Sequence, residues 1–234
     1  YANYNQNDPT LGWNMSRVLD QANAAQNKYG NPESDKYIEN YQVVAAINAD
    51  GYDMKTGKPG GLLVMNGKEW HSVDGNGFFA IMKDGSAKIG TTAEYAACKD
   101  QVQEAIAGFG SVLIKDGEIV ATNDGGRASR TAIGIKANGT VVMMVLDGRQ
   151  EPFSAGGTMA EIAQIMMDAG CYNAINLDGG GSTTFVAKPE GSDNVAVVNR
   201  PSDGYQRSVS TSLIAVSTAK TSNAFSHVNI SSEY

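Results

Sequence analysis

Residues 141–185 read VVMMVLDGRQEPFSAGGTMAEIAQIMMDAGCYNAINLDGGGSTTF. The run VVMMVLD (141–147) is almost continuously apolar, as a buried strand requires. In GTMAEIAQIMMDAG (157–170), Met159, Ile162, Ala163 and Met166 fall at helical spacing, and Gly170 closes the helix. AINLD (174–178) is a second short apolar strand. Strand, helix, strand predicts a βαβ crossover whose two strands are parallel. Asp147 and Asp178 then end on the same carboxyl-terminal edge, where open α/β sheets bind ligands.

Upstream the pattern differs. Asn66-Gly67, Asp84-Gly85, Asp116-Gly117 and Asn138-Gly139 each lie between strand-like runs. Such dipeptides favour the positive φ angles of two-residue hairpin turns. Ser16 is placed to cap a helix ending near Tyr29, before Gly30-Asn31-Pro32. YQVVAAIN (41–48) reads as a strand, and Thr92–Gly108 as a helix with Ala96, Ala97, Val102 and Ile106 on one face. TTFVAK, VAVVN and SVSTSLIAVS read as further strands. The expected class is α+β: a mixed, largely antiparallel, hairpin-built sheet with one βαβ crossover and flanking helices. One domain is expected over residues 1–234, with residues 1–15 and 218–234 as irregular flanks. The opening YANYNQNDPT reads as a cut inside a longer protein.

Composition narrows the function. Hydrophobic residues make up 41% and charged residues 18%, enough for an ordinary core. A net charge of −7, with no basic face, argues against nucleic acid as partner. No apolar stretch reaches the roughly 18 residues of a membrane span. Two histidines and two isolated cysteines are too sparse for a structural zinc site. Cys98 and Cys171 could pair in an oxidising compartment, although two separate buried thiols are the commoner arrangement.

Two carboxylates on one rim, Asp147 and Asp178, are the minimum equipment for glycosidic hydrolysis, and each could equally start a turn. Gly179-Gly180-Gly181-Ser182-Thr183 follows Asp178, and such a loop can form an anion-binding nest. It matches neither the P-loop nor the dinucleotide fingerprint. Arg130, Arg149 and Arg207 lie beside strand-like runs and suit bidentate phosphate contacts. Thr158 to Glu161 spells a capping box, which accounts for Glu161 structurally and competes with a catalytic role. Asn48 could hold a sugar hydroxyl and Asp50 could be a third acid, or both could cap a strand end.

Taken together, SRTAIGI (carrying Arg130 and Thr131), LDG at 146–148, the helix with Glu161, NAINLDGGGSTTFV at 173–186 and RSVSTSL at 207–213 resemble one family. It is the phosphodiester glycosidases, the family of N-acetylglucosamine-1-phosphodiester α-N-acetylglucosaminidase. The resemblance spans roughly residues 40–216, with the motifs in matching order. Two positions depart from the mammalian pattern: Ala49-Asp50 replaces Gly-Gly, and Arg149 stands where a Gln is usual.

The resemblance implies cleavage of a sugar C1–O bond, with Asp178, Asp147 and Glu161 as catalytic candidates. Asn48, Asp50, Arg130, Thr131, Arg149, Gly179, Gly180, Gly181, Ser182 and Arg207 become substrate-binding candidates. The implied partner is a phosphoglycan or sugar-1-phosphodiester. No cofactor or metal is required, with a divalent cation left open. The implied setting is a bacterial, secreted or cell-surface one. Two other readings stay open: a phosphodiesterase attacking phosphorus, and a non-catalytic glycan-binding module.

Overall fold

The computed structural model describes residues 2–4, 12–72, 77–110, 112–122, 126–189 and 191–220. Three antiparallel sheets and three helices pack together among these residues. The first sheet has the order Glu118–Ile119, Val112–Lys115, Cys171–Asn176, Arg130–Lys136, Val141–Leu146. The second runs Ala196–Val197, Phe185–Ala187, Gln42–Asn48, Ser212–Ser217. The third runs Lys68–His71, Leu63–Met65, Val102–Ala107, Phe78–Met82, Ala87–Gly90.

The α+β class stands, and the crossover needs correction. Val141–Leu146 and Cys171–Asn176 are not neighbours. Arg130–Lys136 lies between them and pairs antiparallel with each. The two strands therefore run the same way without forming a parallel ladder. The connecting helix Met159–Asp168 buries Met159, Ile162, Ala163 and Met166, the face its spacing predicts. That face packs on Leu113, Ile114, Ala132 and Ala174 of the first sheet.

All four turn dipeptides sit between paired strands. Asn66-Gly67 and Asp116-Gly117 have positive φ at both residues, as a type I′ turn demands. At Asp84-Gly85 and Asn138-Gly139 only the glycine does, so those turns are longer than two residues.

The Thr92–Gly108 helix ends early. Thr91 and Glu94 form a capping box, the helix covers Thr92–Cys98, and Val102–Ala107 is a strand. Val102 and Ile106 are four apart, a spacing that fits a helix face and, as an even interval, one strand face. Tertiary pairing on both sides, to Leu63–Met65 and Phe78–Met82, decides for the strand. Ser16 does not cap the Val18–Tyr29 helix. Its main chain pairs with Val209, and Arg17 takes the cap position without a side-chain bond.

The amino-terminal flank is not wholly irregular, since Asn3–Tyr4 pairs with Trp13–Asn14. Residues 221–234 of the other flank lie outside the described residues. Cys98 and Cys171 are separate buried thiols. No helix among the described residues is long and apolar enough to cross a membrane.

Ile47, Leu63, Phe79, Ile106, Ile133, Ile175 and Leu177, drawn from all three sheets or their margins, form the central cluster. Where this core reaches the strand ends, the main chains lock together. Ala49 N donates to Thr211 O (3.1 Å), Asp178 N to Ala49 O (2.9 Å) and Leu177 N to Thr131 O (2.8 Å). This junction holds the candidate site.

Candidate active site

Asn48 ends its strand fully buried, and its side chain is used by the protein. Nδ2 donates to Asp178 O (2.6 Å), and Oδ1 accepts from Thr131 Oγ1 (2.8 Å) and Thr184 N (3.1 Å). Asn48 and Thr131 thus brace the Asp178 peptide. This bracing, rather than a sugar contact, accounts for both residues.

Asp178 follows the Cys171–Asn176 strand and is only partly buried. Burial raises its pKa, while the Ser182 hydroxyl, the charge of Arg207 and the Gly179 amide pull it back down. The Ser182 hydroxyl also lies near Tyr52 without closing a full hydrogen bond to either neighbour. The Tyr52 hydroxyl donates to Ser208 O (2.7 Å).

Asp50 is 3% exposed and lies within electrostatic reach of Asp178. Its Oδ2 accepts from Gly61 N at 2.6 Å, and its Oδ1 has no partner. Burial pushes its pKa up to about 7. The Gly61, Gly51 and Gly60 amides oppose that shift, and the Asp178 charge adds to it. Glycine is required around this carboxyl: a Cβ on Gly61 would stand 2.3 Å from Ala107 Cβ.

The Gly179–Ser182 loop winds into a short 3-10 turn over Gly180–Ser182. It is less open as a nest than its sequence suggests. Gly180 N donates to Ser129 O (2.8 Å), and the Gly179 amide is directed at Asp178. Beside Gly181, Arg207 commits Nε and Nη2 to Asp203 Oδ2 (3.0 and 2.8 Å). A Cβ on Gly181 would lie 2.0 Å from Arg207 Nη2, so only glycine lets this ion pair close over the loop.

The other candidates separate by what holds them. Asp147 does lie at the expected strand end, but its carboxylate is occupied by Asn199 Nδ2 (2.8 Å) and Arg200 N (2.9 Å). It anchors the loop at 199–200. Arg130 is buried, donating from Nε to Gly157 O (3.0 Å) and from Nη2 to Gly126 O (2.7 Å). Glu161 closes the capping box with Thr158 N (2.8 Å) and pairs with Arg127. The Thr158 amide, aided by Arg127, holds its pKa below the usual carboxylate range, so Glu161 stays ionised as a strut. Arg149 lies over Gly180, where a Cβ would be 3.0 Å from its Nη1.

Tyr52, Asp203 and Asn199 are the residues that sequence reasoning did not single out. The i,i+4 spacing of Asp203 and Arg207 was the available signal for one of them. Among the described residues, no group of three or more His, Cys, Asp or Glu side chains could hold a metal ion.

An acid at a strand end, beside a second buried carboxyl and an arginine over a glycine loop, defines a site for anionic, carboxylate-assisted chemistry. The phosphodiester glycosidase family matches residues 41–216, and the chain belongs to that family. Bovine N-acetylglucosamine-1-phosphodiester alpha-N-acetylglucosaminidase is 30% identical over 182 residues, covering 69% of this chain and 33% of the bovine protein. YomE, an uncharacterized SPbeta prophage-derived protein of Bacillus subtilis (strain 168), is 29% identical over 180 residues, 71% of this chain and 27% of YomE. The chain thus spans about a third or less of these relatives' length. In three dimensions it is similar to the zebrafish N-acetylglucosamine-1-phosphodiester alpha-N-acetylglucosaminidase catalytic domain, auto-inhibited by its pro-peptide. The TM-score is 0.67 at 25% identity, over 86% of this chain and 67% of the zebrafish one.

Proposed function

We propose that this chain hydrolyses the C1–O bond of a sugar-1-phosphodiester of the N-acetylglucosamine-1-phosphodiester type. The products would be the free sugar and a phosphomonoester. The observation that carries the reading is the neighbourhood of Asp178: one accessible carboxylate, one buried carboxyl at Asp50, and Arg207 on the same loop.

Like charges held close cannot both ionise easily. Asp50 is the more deeply buried and keeps its proton to higher pH. Asp178, facing Arg207, the Gly179 amide and Ser182, carries the charge. It is positioned either to activate water or to attack C1. The departing phosphate needs charge neutralisation more than a proton. Arg207 retains Nη1 for that, because Asp203 occupies only Nε and Nη2. Asp203 keeps the guanidinium aimed, and Asn48 keeps the Asp178 peptide fixed.

Hydrolysis of a synthetic N-acetylglucosamine-1-phosphodiester in oxygen-18 water tests the reading. Label in the sugar supports it. Label in the phosphate supports attack at phosphorus, and binding without turnover supports a glycan-binding module. A secreted or cell-surface setting and independence of any cofactor belong to the same proposal and rest on the family. Full activity after chelation supports the latter point.

A further inference from the structure

The chain has six arginines, at positions 17, 127, 130, 149, 200 and 207. All except Arg17 are gathered by the loops that surround the Gly179–Ser182 turn. Three of these five are committed: Arg127 to Glu161, Arg130 to main-chain carbonyls and Arg207 to Asp203. Arg149 and Arg200 form no ion pair with a carboxylate among the described residues, and both are exposed.

Their placement is built rather than incidental. Arg149 is one of four non-glycine residues with positive φ, at 59°. A bulky residue held in the left-handed region is strained, and such strain concentrates at functional sites. Here it accompanies a guanidinium that lies over Gly180. Arg200 is fixed from both sides of its peptide: its N–H donates to Asp147 Oδ2 (2.9 Å), and its carbonyl accepts from Gln150 Nε2 (2.7 Å). The second bond ties it to the residue next to Arg149. Its guanidinium rests over Phe153, with Cζ 4.9 Å from the ring centroid, and that ring is 57% exposed. An aromatic surface beneath a guanidinium orders the group while its N–H donors remain available at the edge.

Two ordered, unpaired cations on the rim of a protein of net charge −7 imply an anionic ligand group. Arg207 already serves the scissile phosphate, so this pair meets charge further along the substrate. We propose that Arg149 and Arg200, with Phe153 beneath Arg200, form a second phosphate subsite on the leaving-group side, fitted to a phosphoglycan with repeating sugar-phosphate units. The inference rests on the function proposed above and names the substrate class of that site.

Two synthetic compounds separate it from alternatives. One carries a single N-acetylglucosamine-1-phosphodiester. The other is a two-repeat oligomer with a second phosphodiester on the leaving-group side. Wild-type kcat/KM is expected to be at least tenfold higher for the oligomer, and the advantage should shrink with added salt. Arg200→Gln removes the preference and leaves the single-phosphate rate unchanged, and Phe153→Leu weakens it. Calorimetry with the Asp178→Asn protein reads the same subsite without turnover: tighter binding of the oligomer, lost when Arg200→Gln is added. Equal affinity for the two compounds, or a preference that survives Arg200→Gln, overturns the subsite. A binding difference with no turnover by wild type leaves the subsite standing and overturns the glycosidase reading alone.

Discussion

Asp50 and Asp178 are coupled through both charge and backbone: Asp178 N donates to Ala49 O at 2.9 Å, and the Asp178 charge raises the pKa of the buried Asp50. The pair joins the ends of two strands from different sheets. Asp147, on the same rim as Asp178, is turned instead toward Asn199 and Arg200.

This division of roles separates two conservative variants. Asp178→Asn removes the charge at the reacting centre and is expected to lower kcat by about 10²–10⁴-fold. Asp147→Asn keeps one acceptor oxygen but loses the other, loosening the 199–200 loop, and should act mainly on KM. Steady-state kinetics on one phosphodiester substrate checks both. Equal kcat losses would return Asp147 to the chemistry.

Stability should depend on Asp50 through pH. Its pKa is about 7 in the folded protein, against an ordinary 3.8. The folded chain therefore holds this proton more tightly than the unfolded chain. The resulting stabilisation is complete below about 4, declines as pH rises, and is gone above about 7. Asp178 is also raised and adds to the same slope. Asp50→Asn can still accept from Gly61 N and should flatten the fall without abolishing it. Urea denaturation between pH 4 and 8 measures this, and an unchanged slope in the variant would contradict it.

Two neighbouring glycines should fail differently. A Cβ on Gly179 meets the Ser129 carbonyl at 2.7 Å, a main-chain atom that cannot step aside. Gly179→Ala is expected to cost about 1–3 kcal/mol of stability. A Cβ on Gly181 meets the movable ends of Arg207 and Asp203. Gly181→Ala should fold nearly as well as wild type, since a partly exposed ion pair contributes at most about 1 kcal/mol, and should raise KM by displacing Arg207. Thermal melts paired with kinetics distinguish the two.

Asn48→Ala leaves the Asp178 carbonyl, the Thr131 hydroxyl and the Thr184 amide without their shared partner. A stability loss of about 2–4 kcal/mol is expected, because unsatisfied buried groups cost more than the bonds were worth. A variant as stable as wild type, impaired only in sugar binding, would restore the sugar-contact role.

The local features were legible in the sequence because short-range chemistry sets them. The four turn dipeptides, the Thr158–Glu161 capping box, the face of the Met159–Asp168 helix and the place of Asp178 before a glycine loop all depend on residues a few positions apart. Val102–Ala107 escaped because its spacing suits both periods and only its two flanking strands choose between them. The partner of Asp178 escaped for the same reason at longer range. Asp50 and Asp147 are equivalent as acids at strand ends. The Gly61 amide occupies one oxygen of Asp50 from 11 residues away, and the Arg200 amide holds Asp147 from 53. Docking of the sheets decides which carboxyl is buried beside Asp178 and which anchors a loop. The sequence by itself determined which acid to look at, and the tertiary structure determined which second acid faces it.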